Sequence, residues 1–100
     1  MQTKEDLVIE KKEKVTIPPR YKVILLNDNF TPFQWVIFLL CNVFHKTLME
    51  AEEITLTVHE DGSGIVHTYP SKEIAESKAR KANELSRQHG FPLKCVTEKE

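Results

Sequence analysis

The stretch Tyr21-Lys22-Val23-Ile24-Leu25-Leu26-Asn27-Asp28-Asn29-Phe30-Thr31-Pro32 decides the fold. Its first half, residues 21–26, is rich in β-branched and large apolar residues. Tyr21, Val23 and Leu25 fall at alternate positions and so share one face, which predicts a largely buried strand. Asn27, Asp28 and Asn29 stop it, because their short polar side chains bond local backbone in place of a ladder. Thr31 then predicts a helix N-cap, Pro32 suits the first helical position, and Gln34 stands at capping-box distance from Thr31.

The helix so started runs on to about Phe44. Between Pro32 and Phe44 only Gln34 and Asn42 are clearly polar. Such a segment reaches about 20 Å, well short of the ~30 Å hydrocarbon core of a bilayer, so it predicts a buried helix and no membrane span. Trp35 and Phe38 add an aromatic patch on a helix already apolar on most faces. His45, Lys46 and Thr47 form a short connector.

Residues 48–60 are readable in two ways. Ile54, Leu56 and Val58 alternate with Thr55, Thr57 and His59, as in a strand, whereas Leu48, Ala51, Thr55, Val58 and His59 fall at helical spacing. Asp61-Gly62-Ser63-Gly64 is a turn, and Ile65 to Tyr69 a short strand. Ser71 caps a further helix, with Glu73 and Glu76 near its positive end and Ile74, Ala75, Ala79, Ala82 and Leu85 on one apolar face. Gly90-Phe91-Pro92 ends it, and Leu93 to Thr97 reads as a last strand. Strands mixed with helices in this order predict an α+β two-layer sandwich.

Toward the amino end, residues 1–17 hold eight charged side chains, four of each sign, and few large apolar ones. They predict a flexible N-terminal extension, with one core domain over residues 18–100. They contain no signal-peptide pattern, so the expected compartment is the cytoplasm. The chain has 100 residues, 40% of them hydrophobic, enough for one buried core. With 14 basic and 15 acidic residues the formal charge is −1, which argues against binding nucleic acid or anionic membranes by bulk charge. Two cysteines exclude a disulfide scaffold, and three glycines exclude a glycine-rich phosphate loop. Cys41 and His45 lie four apart, yet no second pair completes a metal site. A Cys–His hydrolase lacks an evident oxyanion hole.

Asn-Asp-x-aromatic-Thr-Pro at 27–32, the distal Val58-His59 before a glycine turn, Ile74-Ala75-Glu76-Ser77-Lys78, and the ending His89 to Cys95 together resemble the ClpS family, over about residues 19–99. The resemblance implies the order β-α-α-β-α-β with a three-stranded antiparallel sheet, and hence a helix over the ambiguous segment. It implies an adaptor and no enzyme, with no cofactor and no metal. Such a monomeric adaptor binds substrate proteins through a free N-terminal large hydrophobic residue. It delivers them to the N-terminal domain of an AAA+ unfoldase of the ClpA or ClpC type. The alternative is a ClpS-like regulator that docks on the unfoldase with altered or lost recognition of that residue.

The residues themselves suit such a ligand. A charged α-amine has three N–H donors and calls for acceptors fixed in a cup. Asn27 offers a carboxamide oxygen and Asp28 a carboxylate; by resemblance His59 completes the cup, accepting when neutral. The resemblance places the side-chain pocket at Asn29, Thr31, Phe33, Val36, Thr55, Val58 and Leu93, and unfoldase docking at Glu73 and Lys78. Three positions depart from the family: Asn29 stands where many relatives have a second Asp, and Phe33 and Thr55 where Met is common. The extension at 1–17 resembles the segment such adaptors use for delivery, so removing residues 1–15 is expected to spare peptide affinity and impair degradation.

Overall fold

The computed structural model describes residues 16–100. The expected N-terminal extension falls mostly on residues 1–15, outside the described residues; Thr16 and Ile17 are exposed. The chain forms strand β1 (Tyr21–Leu26), helix α1 (Phe33–Asn42), helix α2 (Leu48–Asp61), strand β2 (Ser63–Tyr69), helix α3 (Lys72–Gln88) and strand β3 (Lys94–Lys99). This is the α+β two-layer arrangement, in the order β-α-α-β-α-β.

β1 is central, with β2 and β3 antiparallel on either side. Its alternation works as the sequence predicts: Val23 and Leu25 are fully buried and face the helices. In β2, His67 pairs with Val23 and Ile65 with Ile24, so Val66 is an extra residue at a bulge, and its side chain is buried. α3 lies along β3 and β1, and α2 packs beside β2 and against α1. Leu39, Leu40, Ala51, Ala75 and Ala82 close the core without exposure; each fully buried leucine contributes roughly 1.5–3 kcal/mol.

At Cys95 the outer edge of β3 is covered by one side chain. Asn83 of α3 donates from Nδ2 to the Cys95 carbonyl at 3.0 Å and accepts the Cys95 N–H at 2.7 Å, as a neighbouring strand would. Trp35 of α1 donates its indole N–H to the buried Ser86 hydroxyl of α3 at 2.9 Å, which ties the two helices.

Four local expectations change. Thr31 does not cap α1: the N-cap is Pro32, without a side-chain bond, and the capping box with Gln34 does not form. Thr31 stands one position before the N-cap, and its hydroxyl is turned back to donate to the carboxylate of Asp28. The capping box lies at the next helix, where Thr47 accepts from Glu50 N–H and Glu50 accepts from Thr47 N–H. α1 ends at Asn42 because His45 turns left-handed (φ 57°), with Lys46 N–H bonding back to Leu40. Ile74 lies off the core face of α3, 42% exposed, and the last strand starts at Lys94, leaving Leu93 buried just before it.

Candidate functional site

The segment between β1 and α1 is organised by Asp28. Its Oδ1 accepts the N–H groups of Phe30 and Thr31, each at 2.8 Å, and its Oδ2 accepts the Thr31 hydroxyl at 2.8 Å. Partial burial works to raise this carboxyl. The bonds from Phe30 N–H, the Thr31 hydroxyl and Thr31 N–H together outweigh it and hold the group below its ordinary value. The carboxylate is thus ionised and fixed, with one acceptor position of Oδ2 still unused.

Asn27 is held from the other side. Its N–H donates to the Gly62 carbonyl at 3.0 Å, which pins the end of β1 to the C-terminus of α2. Gly62 is left-handed (φ 91°) and caps α2 through its own N–H to Val58. Two residues on, Gly64 lets β2 pass close to α2: a Cβ there would stand 3.0 Å from Val58 Cγ2. Both glycines therefore serve to set Val58 and the last turn of α2 against the end of β1.

Between these elements lies a slot lined by Leu26, Asn27, Asp28, Thr31, Phe33, Val36, Thr55, Val58 and Leu93. Polar groups come from the β1–α1 segment, and the apolar walls from α1, α2 and the residue before β3. Its free volume is about 20 Å³, room for no more than a water molecule. Thr55 is 3% exposed, and its hydroxyl donates to the Ala51 carbonyl at 2.7 Å, so its donor is spent on its own helix. Phe33 is 42% exposed and stands edge-on to His59, ring centroids 5.1 Å apart.

Of the expected amine-cup residues, Asn27 and Asp28 line one slot, and His59, exposed on α2, adjoins it through Phe33. Of the expected pocket residues, Thr31, Phe33, Val36, Thr55, Val58 and Leu93 line the slot; Asn29 is exposed and outside the lining. Leu26 lines it as well, which its place as the last residue of β1, facing away from Leu25, did not suggest. Glu73 is exposed, whereas Lys78 donates to the Val43 carbonyl at 3.1 Å and so bridges α3 to the end of α1. Among the described residues no group of three or more His, Cys, Asp or Glu could hold a metal ion. No helix among them is long and apolar enough to cross a membrane.

Fold and site define a small α+β binding module: a strand-to-helix turn presents fixed acceptors beside an apolar slot. Residues 16–96 match the family model of the ATP-dependent Clp protease adaptor protein ClpS. An ATP-dependent Clp protease adapter protein ClpS from Nitrosomonas eutropha is 48% identical over 94 residues, covering 93% of this chain and 90% of the relative. One from Nautilia profundicola is 47% identical over 91 residues, covering 91% and 93%. The solved structure of Agrobacterium tumefaciens ClpS2 bound to L-phenylalaninamide superposes with a TM-score of 0.80 at 40% identity, over 83% of this chain and 99% of that one. The chain belongs to the ClpS family of Clp protease adaptor proteins.

Proposed function

We propose that the slot captures the free amino terminus of a substrate protein, with a large hydrophobic first side chain between Val36, Val58, Thr55 and Leu93. The observation that carries this is the pairing of a fixed, ionised Asp28 with an apolar slot at one mouth. An α-ammonium has three N–H donors. Asp28 Oδ2 has an acceptor position left after serving Thr31, Asn27 supplies a carboxamide, and a ring nitrogen of His59 is offered as a third acceptor. Each charge-assisted bond is worth about 1.5–3 kcal/mol, and a Leu- or Phe-sized side chain adds about 1.5–3 kcal/mol on burial, enough for micromolar affinity. The bound L-phenylalaninamide of the Agrobacterium tumefaciens relative carries this chemistry, a free amine beside an aromatic side chain.

A slot of about 20 Å³ does not hold a phenyl group. Admission therefore requires the walls to part, and Phe33, the most exposed of the apolar walls, is the one placed to move. The bound protein is handed to a ClpA- or ClpC-type unfoldase, docked through the exposed Glu73 and through Lys78, whose ammonium keeps two N–H groups beyond its bond to Val43.

Fluorescence anisotropy with a labelled peptide beginning in free Leu, against its N-acetylated copy, tests the capture. The acetyl group removes the charge and fills the cup, so the copy binds at least about a hundredfold more weakly. Equal affinities would leave only the alternative, a regulator that docks on the unfoldase without reading the amino terminus.

A further inference from the structure

α1 has a second working face. Val36 and Phe33 point to the slot, but Trp35, Phe38 and Asn42 lie on the opposite side, facing α3. There a groove of about 430 Å³ opens between the two helices, walled by Trp35, Phe38, Val43 and Leu85. That size lies within the range of binding sites that hold a ligand. Its aromatic wall is a built cluster. Trp35 stacks on Phe38 with centroids 5.3 Å apart and touches the rings of His89 at 4.5 Å and Phe91 at 5.3 Å. The indole N–H is locked on Ser86, and Asn42 Nδ2 donates to the Phe38 carbonyl. Phe38 nevertheless keeps half of its surface in water.

The charge around this groove is one-sided. α1 carries no charged residue from Phe33 to Asn42. The rim has Lys81 on α3 and His89 just beyond the end of that helix. No carboxylate lines the groove, although the chain as a whole has 15 acidic residues to 14 basic. An apolar floor with Lys81 as the one charged side chain at its edge complements an apolar anchor flanked by carboxylates. The floor is mostly hydrocarbon and ring surface between two helices, which favours a peptide over a nucleic acid strand.

We infer that the groove between α1 and α3 is a further docking site, beyond the slot and the Glu73–Lys78 surface, for an acidic peptide segment of a partner protein that inserts one large apolar side chain against Phe38 and Trp35. It is separate from the amino-terminus slot, since the two open on opposite faces of α1, and both can be filled together.

Trp35 is the single tryptophan of the chain and reports directly on the groove. The full chain is titrated with an N-acetylated peptide of Glu and Asp residues around a central Leu-Phe pair, following tryptophan emission and the indole N–H resonance. Saturable binding is expected, weakened about five- to tenfold by Lys81→Glu and by doubled ionic strength. Phe38→Ser, at a half-exposed position that leaves the core intact, is expected to abolish it while leaving binding of a free-Leu peptide unchanged. The acetyl group keeps the probe out of the slot, so failure here leaves the amino-terminus reading standing. No saturable response, an equal response to a copy with Lys for every acidic residue, displacement by a free-Leu peptide, or stronger quenching by oligouridylate would each overturn the inference.

Discussion

The ring of Phe33 stands edge-on to the imidazole of His59, centroids 5.1 Å apart and planes inclined at 74°. This contact joins one wall of the slot to the residue assigned to the amine cup, across the gap between α1 and α2.

Phe33→Ala removes that wall. An edge-to-face pair is worth about 0.5–1.5 kcal/mol, and Phe33 is 42% exposed, so stability falls by no more than about 1 kcal/mol. Selectivity broadens instead: in a peptide panel differing only at the first residue, Ile and Val gain relative to Leu and Phe. Thr55→Met, which refills the inner wall, shifts the panel the other way. An unchanged ranking in both variants contradicts the role given to the two positions.

Asp28→Ala deletes the acceptor for Phe30 N–H, Thr31 N–H and the Thr31 hydroxyl together. The loss in stability is about 1–2 kcal/mol by urea unfolding, with a larger loss in peptide affinity. The carboxyl is lower in the folded protein than its ordinary value of 3.8. Its contribution is therefore complete above pH 3.8 and is lost as pH falls through the lowered folded value. The stability gap between the parent and Asp28→Asn accordingly closes at acid pH, and a gap independent of pH would exclude an ionised Asp28.

Gly64→Ala places a methyl 3.0 Å from Val58 Cγ2, a side chain that walls the slot. Val58 must yield by a few tenths of an ångström, and the gap it closes is already small. Peptide affinity drops several-fold for Phe and Trp first residues and less for Leu, with the unfolding midpoint lowered by an amount equivalent to about 1 kcal/mol.

The two thiols differ in access. Burial pushes the Cys95 thiol up to about 12, and its residue is 3% exposed, so almost no thiolate forms there at pH 8. Cys41 is half-buried. A disulfide reagent at pH 8 titrates one thiol in the native protein and the second only after unfolding; two fast thiols would contradict the packing of β3.

The sequence alone makes β1, the turn at 27–29, the helix from Ser71 and the stop at Gly90 legible, because each rests on local chemistry: alternation, turn side chains, a cap, a left-handed glycine. It leaves residues 48–60 undecided, since Ile54, Thr55, Leu56, Thr57 and Val58 are β-branched or apolar at both spacings. The signal that resolves them is the capping box Thr47-x-x-Glu50, readable from residue types alone. Thr31 misleads for a converse reason: the helix starts one residue later than the spacing suggests, and the Thr31 hydroxyl is oriented to the Asp28 carboxylate, which a one-dimensional spacing rule does not weigh. Within the site, Asn27, Asp28 and the helical trio Thr55, Val58 and His59 are readable. The narrowness of the slot, the exposure of Asn29 and the bridging of Lys78 to Val43 depend on how three elements meet.

Titration of uniformly ¹⁵N-labelled protein with L-phenylalaninamide, and separately with its N-acetylated form, tests the central claim most directly. The free amine is expected to shift the amide resonances of Asn27, Asp28, Thr31, Val58 and His59 and to leave Trp35 unmoved, while the acetylated form shifts none of them. Equal shifts from both compounds, or shifts confined to residues away from the slot, would contradict the account.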